Sequence, residues 1–338
     1  MTKDESPSPR KTEQSNESDL DSLSWGEFED WIQLVRFPAV FTLLSNVAVT
    51  AILANLDLLP ITAFIPTLLA SVAAYWAGMI LNDVVDLEED RQNRSRRPLA
   101  AGKISPVVAG HVATALLMVC PLLILGTTLL HNAQPLWLGA AFASSVALVI
   151  CVRGYNSILK STLLGPFLMG GCRALNILMV GCALFSVGTA ERFPIPLLYF
   201  AAATGIYILG VTIFAGREEH EDSDSAQLLL GLALQVGGLA LVAFLPRGEY
   251  RELAWTLNPN AGYPLLMGLI AMTVIHRSLK AILQPSSRLV QLAVKHSLLT
   301  LILIDAGVVV TWAGPYYGCA VVALLIPALA SAMKVRTT

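Results

Sequence analysis

Apolar residues run through this chain in blocks too long for the core of a water-soluble domain. A helix that crosses a bilayer needs about 20 consecutive apolar residues. Blocks of that kind fall at 38–56, 61–81, 107–130, 135–152, 163–187, 195–215, 226–245, 262–283, 290–312 and 316–333. Only Gly314-Pro315 separates the last two, so they read as two spans or as one broken helix. Ahead of the first block, Trp25, Phe28, Trp31, Leu34 and Val35 recur at helical spacing. That spacing predicts a short amphipathic helix over 25–37, lying in the interface before Pro38 opens the first span. Residues 1–24 are polar and rich in Ser, Asp, Glu and Lys, a composition expected to stay disordered. They contain no apolar stretch of the kind found in a cleaved signal peptide. The pattern therefore predicts an all-α polytopic membrane bundle of nine to ten transmembrane helices, with 25–338 as one membrane domain behind a 1–24 tail.

Composition agrees with this reading. The chain of 338 residues is 55% hydrophobic and 14% charged, whereas soluble domains carry about a quarter of their residues as charges. The lipid bilayer is the partner that such a surface requires, and no nucleic-acid partner is expected. All five cysteines fall in apolar segments without a CxxC pair, and read as small buried hydrophobes. No feature specifies an oligomeric state. Charge is more informative by position than in sum. With the N-terminus in the cytoplasm, the inner segments hold Arg91, Arg94, Arg96, Arg97, Lys103, Arg153, Lys160, Arg217, Arg277, Lys280, Arg288 and Lys295, while the outer loops hold Arg192, Arg247 and Arg251. The asymmetry follows the positive-inside rule. Ten spans would also place Lys334 and Arg336 inside, which weights the count toward ten.

The densest charge outside the N-terminal tail follows the second block: Asn82-Asp83-Val84-Val85-Asp86-Leu87-Glu88-Glu89-Asp90, then Arg91 to Leu99. Asn82, Asp86 and Asp90 are spaced i, i+4, i+8 and stack on one face of a helix. Oxygen-bearing side chains with arginines just beyond suit a hard divalent cation and a phosphate group. A second acidic stretch, Glu218 to Asp224, follows the sixth block, with Glu218 and Asp222 again at i, i+4. Two such clusters at one membrane depth are suited to hold two Mg²⁺ ions jointly, although either could be a solvated helix end. Arg94, Arg97, Lys103 and the Lys160 of Tyr155-Asn156-Ser157-Ile158-Leu159-Lys160 are candidate phosphate partners. The positive-inside rule alone would also place them there. Inside the spans lie Arg173, Asn176 at i+3 on the same face, Asp305 and Asn46. Intramembrane ionisable residues mark function by default, or else Arg173 and Asp305 pair to fix helix packing. Asn46 suits an interhelical hydrogen bond or a substrate contact.

These residues resemble the UbiA superfamily of intramembrane prenyltransferases. Asn82 to Asp90 fits its NDxxDxxxD signature, and Arg97-Pro98-Leu99-Ala100-Ala101-Gly102-Lys103-Ile104-Ser105 resembles the continuation of that motif. Tyr155 to Lys160 resembles the family's Tyr…Leu-Lys loop, followed by a helix bearing Gly165, Gly170 and Gly171. The resemblance covers about residues 25–313. It implies a helical bundle around a central cavity open to lipid, and Mg²⁺-dependent transfer of an isoprenyl group from an isoprenyl diphosphate to an acceptor molecule. By position it implies Asn82, Asp83, Asp86 and Asp90 as metal ligands, Arg97 and Lys160 on the diphosphate, and Tyr155 facing an allylic cation. Arg94, Arg173, Asn176 and Asn46 then become candidate substrate contacts. The second motif departs from the family's Asp-rich form by supplying Glu218 first, with Asp222 following. Together with Gly171-Cys172-Arg173-Ala174-Leu175-Asn176 and Leu303-Ile304-Asp305-Ala306, this variant is similar to a divergent bacterial subgroup, the UbiA-like members of eboshi clusters. That implies a bacterial inner membrane and a role linked to secondary metabolites. The alternative is a transporter or binding scaffold that keeps the fold, with Arg173 and Asp305 marking a solute path. A CDP-alcohol phosphotransferase would need an Asp-Gly-x-x-Ala-Arg start, which does not precede Asp86.

Overall fold

The computed structural model describes residues 24–54, 60–131, 133–187, 193–216, 225–245, 257–258, 260–284 and 286–337. Apart from Ser24, the predicted tail lies outside the described residues. Within them the chain is helical, with short loops and one isolated bridge between Trp25 and Ile104. A short helix α1 (Phe28–Leu34) leads into α2 (Phe37–Ala54), α3 (Ile61–Val85) and the surface helix α4 (Leu87–Asn93). The chain continues through α5 (Pro106–Leu130), α6 (Pro135–Tyr155), a 3-10 turn (Ile158–Ser161), α7 (Leu164–Val187) and α8 (Ile195–Ala215). It ends with α9 (Ser225–Ala243), α10 (Gly262–Leu283), α11 (Ser287–Ala313), α12 (Pro315–Ala323) and α13 (Leu325–Thr337).

Nine of these helices are long and apolar enough to cross a membrane: α2, α3, α5, α6, α7, α8, α9, α10 and α11. They follow the predicted blocks to within a few residues. The protein is therefore an integral membrane protein, and the bundle follows from the need to satisfy backbone polar groups within lipid. The tenth block is divided between two helices, neither long enough by itself to cross a membrane. α12 is nine residues long, or about 13 Å at 1.5 Å per residue. Pro327, in the first turn of α13, has no N–H to give the carbonyl of Ala323, so the helix ends there and restarts. The predicted amphipathic helix is also shorter than 25–37. The backbone of Trp25 is taken up by the bridge to Ile104, and α1 begins only after Glu27, whose N–H is accepted by Asp30 Oδ2 at 3.1 Å.

The spans form a ring in which sequence neighbours pack side by side and α2 closes the circle against both α3 and α11. α7 sits inside this order, touching α2, α3, α6 and α8. The outward faces of α5, α6 and α10 carry exposed apolar side chains such as Leu122, Ile150 and Leu269, as a lipid-facing surface should. Two polar ties run through the interior. Ser45 Oγ and Asn46 Nδ2 of α2 donate to Asp305 of α11 at 2.6 and 3.3 Å. Tyr207 of α8 donates to the carbonyl of Ser297, whose hydroxyl donates to Gln235 of α9, each at 2.8 Å.

A close backbone contact joins α8 and α9, where Gly210 and Gly231 face each other. A Cβ on Gly210 would lie 2.6 Å from the carbonyl oxygen of Gly231 and 2.7 Å from the amide nitrogen of Gln235. Small residues of this kind let membrane helices approach closely. Gly210→Ala is expected to cost about 1–3 kcal/mol through overpacking. Gly237→Ala, in the same pair of helices but with nothing within 4 Å of its Cβ, should be neutral. Thermal unfolding of the detergent-solubilised protein, followed by size exclusion, checks the contrast.

Candidate active site

The acidic motif lies where α3 leaves the apolar interior. Asn82 and Asp83 belong to its last turn, Asp86 caps it, and Asp90 is on α4. The backbone stays close to helical across the junction, with Asp86 N–H bonded to the Asn82 carbonyl and Asp90 N–H to that of Asp86. Three carboxylates this close would repel one another strongly if left alone. Each is met by a cation from a different part of the chain. Asp83 accepts from Arg36 Nη2 and from Arg97 Nη1, both at 3.2 Å. The same Arg97 nitrogen lies 2.5 Å from Asp90 Oδ2. Lys160 Nζ is hydrogen-bonded to Asp86 Oδ2, which also accepts from Asn82 Nδ2 at 3.0 Å. The Asp83 and Asp90 side chains are only 6% and 3% exposed, so losing a cationic partner would leave a buried charge uncompensated, a far larger cost than at a surface ion pair.

Local structure explains how each cation arrives. After α4 the chain doubles back: Ala101 N–H bonds to the Arg97 carbonyl and Lys103 N–H to that of Pro98, while Leu99 is buried as an anchor. This reversal turns Arg97 toward the carboxylates. Lys160 sits in the 3-10 turn after α6, and its backbone lies against Gly165, where a Cβ would come within 2.5 Å of the Lys160 carbonyl oxygen. Arg36 joins α1 to α2 with φ of 49°, in the left-handed region that non-glycine residues avoid. Such strain persists only where the surroundings hold it. α1 is pinned to the reversing loop by Ser24 Oγ to the Lys103 carbonyl and Lys103 Nζ to Asp30 Oδ1, both at 2.7 Å, and Trp31 Nε1 donates to the Trp25 carbonyl at 2.7 Å within the same segment. Burial pulls the Asp30 carboxyl upward, but the Lys103 hydrogen bond, the Glu27 backbone N–H and the Lys103 charge together outweigh it and hold it below the usual carboxylate range. The same bond raises the Lys103 ammonium.

Behind the cluster, a cavity of about 420 Å³ extends into the bundle, within the range of small-molecule sites. Arg36 and Asn82 mark its polar end, and its walls are mostly apolar, including Leu43, Met79, Val152, Met169 and Val211. Tyr75, Tyr155, Arg173 and Asn176 also line it.

The structure thus brings together Asn82, Asp83, Asp86, Asp90, Arg97 and Lys160. Arg94 stays at the rim, exposed, 3.9 Å from Asp90 Oδ1. Lys103 is drawn away to Asp30. Asn46 does not line the cavity; its amide goes to Asp305. Arg173 and Asp305 are not directly paired: Arg173 Nη2 donates to Thr42 Oγ1 at 3.4 Å, and the Asp305 oxygens are taken by α2. Cys172 lines the cavity and Cys319 is exposed, while Cys120 and Cys182 are buried as predicted. Glu218 and Asp222 lie outside the described residues. Arg36 and Tyr75 were not among the residues singled out from sequence. Arg36 looks like one more basic residue at a span boundary, and Tyr75, seven residues before Asn82, carries no motif.

Asn82, Asp83, Asp86 and Asp90 form an all-oxygen donor set without sulfur or imidazole, the chemistry that suits Mg²⁺. Among the described residues no three acidic, histidine or cysteine side chains converge as a metal-holding group; guanidinium and ammonium groups stand among the carboxylates instead. The donors fit a hard cation, and those positive groups mark where positive charge is favoured.

Among known proteins, residues 43–237 match the UbiA prenyltransferase family. A digeranylgeranylglyceryl phosphate synthase of Metallosphaera sedula is 26% identical over 215 residues, covering 62% of this chain and 69% of that protein. The enzyme of the same name from Saccharolobus solfataricus is 29% identical over 160 residues, 47% of this chain and 52% of its own length. The fold is shared with a structure described as digeranylgeranylglyceryl phosphate synthase in membranes, with a TM-score of 0.60, 18% identity, and coverage of 84% of this chain and 98% of the other. It is also shared with a UbiA homolog from Archaeoglobus fulgidus bound to DMAPP and Mg²⁺, with a TM-score of 0.55, 17% identity, and coverage of 87% and 99%.

The charge cluster predicts an asymmetry between its arginines. Arg97→Ala removes the partner that two buried carboxylates share, leaving Asp83 to Arg36 alone and Asp90 to the more distant Arg94, and should destabilise the metal-free protein by about 3 kcal/mol. Arg94→Ala, at an exposed and longer pair, should stay within about 0.5 kcal/mol. Thermal unfolding in chelator-treated buffer measures both, and Asp83→Asn added to Arg97→Ala should recover part of the loss.

Proposed function

The chain belongs to the UbiA prenyltransferase family and is a membrane prenyltransferase, and we propose that it transfers an isoprenyl group from an isoprenyl diphosphate to an acceptor held in the bundle cavity, with Mg²⁺ as cofactor. The observation that carries this reading is the alternation of Asp83, Asp86 and Asp90 with Arg36, Arg97 and Lys160 at the polar end of an apolar cavity. Such a mouth suits a ligand with a highly charged head and a hydrocarbon tail. The A. fulgidus homolog bound to DMAPP and Mg²⁺ supports the same class of ligand.

Asn82, Asp83, Asp86 and Asp90 would hold the metal, and Glu218 and Asp222 would supply its second set of oxygens. Bound Mg²⁺ supplies Lewis-acid stabilisation of negative charge on the departing diphosphate. Arg36, Arg97 and Lys160 exchange their carboxylate partners for phosphate oxygens and neutralise the same charge. Arg94 contributes from the rim. As the allylic C–O bond breaks, the electron pair leaves with the diphosphate and the prenyl carbon becomes an allylic cation. Tyr155 and Tyr75 present aromatic rings along the wall, suited to steadying a cation, and the apolar lining keeps water from quenching it. The acceptor's electron pair closes the new bond to the prenyl carbon, and the acceptor then loses a proton. The polar end of the bundle faces the cytoplasm of a cell membrane, following the basic residues gathered there, and residues 25–338 act as one membrane domain.

Asp86→Ala should abolish Mg²⁺-dependent consumption of radiolabelled prenyl diphosphates of several chain lengths by membranes carrying the protein. Lys160→Ala should weaken diphosphate binding by about tenfold or more, the scale of losing a charge-assisted hydrogen bond. Asn46→Ala, away from the cavity, should leave it nearly unchanged. Equal effects of Lys160→Ala and Asn46→Ala would count against the basic mouth. Absence of binding or turnover by the wild type with any acceptor, together with solute movement across vesicles, would count against prenyl transfer itself.

A further inference from the structure

Seven buried side-chain nitrogen or oxygen atoms lack a hydrogen-bond partner among the described residues, and four of them belong to residues that line one cavity: Ser71 Oγ, Asn156 Oδ1, Arg173 Nη1 and Asn176 Nδ2. Buried polar groups are normally paired, the more so within a membrane. Asn156 caps α6 near the mouth and already uses its amide nitrogen on the Val152 carbonyl at 3.0 Å. Ser71, Arg173 and Asn176 lie further in. Ser71 is eleven residues back along α3 from Asn82, and Arg173 is nine residues along α7 from Leu164, placing them about 16 and 14 Å from the charged mouth at 1.5 Å per residue.

Among the described residues no hydrogen-bond partner completes this group. Arg173 and Asn176 are i, i+3 on α7 and share a face. Thr42 takes one guanidinium nitrogen at 3.4 Å, leaving Nη1 without an acceptor. The carboxylate that would otherwise pair with it, Asp305, is occupied by Ser45 and Asn46. Asn176 is 5% exposed, and its Nδ2 has no acceptor either. The inner end of an otherwise apolar cavity is therefore lined by residues whose two N–H donors and one hydroxyl are buried and unpaired among the described residues.

We propose that Arg173 and Asn176, with Ser71, form a recognition site for the acceptor at the inner end of the cavity, binding it through a carboxylate or carbonyl oxygen. The inference rests on the prenyl-transfer reading above. An acceptor gripped there points its polar group inward and its nucleophilic atom back toward the mouth, where the prenyl carbon lies. An acceptor with an apolar inner end leaves both donors unpaired and is selected against.

The test uses three probes of matched shape: 3-phenylpropanoate, 4-phenyl-2-butanone and butylbenzene. Their affinities are measured by titration calorimetry on the intact protein in nanodiscs, with empty nanodiscs subtracted and with Mg²⁺ and geranyl diphosphate present. The wild type should prefer the carboxylate or the ketone over butylbenzene by about tenfold or more. Whichever of the two binds tighter identifies the acceptor's polar group. Arg173→Met and Asn176→Leu should each remove most of that preference, while geranyl diphosphate with Mg²⁺ still binds within about twofold of wild type, as additivity predicts for separate sites. If Arg173→Met does not fold, Arg173→Lys takes its place, since it keeps the charge but loses the planar fork. Equal affinity for the three probes in the wild type, or a preference that survives substitution at both positions, overturns the site. Failure of the wild type to bind geranyl diphosphate at all overturns the prenyl-transfer reading instead, and is read in the same preparation.

Discussion

Three carboxylates at the end of one membrane helix need positive charge, and most of the polar architecture serves that need. Asp83, Asp86 and Asp90 are too close together and too buried to stand alone. The chain answers from three directions: the junction before α2 delivers Arg36, the reversal after α4 delivers Arg97, and the turn before α7 delivers Lys160. The reversal is tied to α1 as well, through Lys103 and Asp30, and α7 to α2 through Arg173 and Thr42. The ion pairs thus fix the relative heights of α2, α3 and α7 at one end of the bundle. The same residues that hold the ligand-free protein together are the ones a diphosphate and its metal would re-partner, so stability and ligand binding draw on one set of charges.

α2 carries the complementary constraint deeper in the bundle. Its first residues follow the strained Arg36, and about two turns on, Ser45 and Asn46 grip Asp305 of α11. A carboxylate within lipid depth is costly unless its oxygens are hydrogen-bonded. Here the bonds run across helices and lock α2 to α11, closing the ring opposite α3. One consequence is that Asp305 makes no direct hydrogen bond to Arg173, although the two opposite charges still interact across the interior. A simple pairing of the two intramembrane charges would have produced a satisfied structural tie and an inert cavity wall. Dividing them leaves a tied helix pair on one side and donors available in the cavity on the other.

Much of this was legible in the sequence because the signals were local. Block length located the nine spans, and the i, i+4 spacing of Asn82, Asp86 and Asp90 located the cluster. What escaped depends on long-range geometry. The family motif names Asp83 although it lies off the helical face, but its sharing of Arg97 with Asp90 follows only from the chain reversal at residues 97–103. That reversal also carries Lys103 to Asp30 on α1, removing it from the phosphate partners its position suggested. Arg36 escaped because a basic residue at a span boundary is already explained by topology; only its left-handed backbone and its contact with Asp83 distinguish it. The tenth apolar block was long enough to span, but the proline at position 327 decided otherwise.

The placement of Lys160 and Arg173 relative to one helix gives the cavity its polarity. Lys160 stands just before α7 and reaches the carboxylate cluster, whereas Arg173 and Asn176 sit more than two turns inside and face the same cavity. Any shift of α7 along its axis would move both ends together, so the separation between head-group and inner contacts is set by helix geometry rather than by flexible loops. Gly170 makes that rigidity possible. A Cβ there would lie 2.5 Å from the carbonyl oxygen of Gly205, so α7 is seated directly against the backbone of α8. An intramembrane transferase must align a reactive carbon with an acceptor in a medium that offers no ordering of its own. A rigid helix with charge at one end and unpaired donors further in would supply that alignment from a single element.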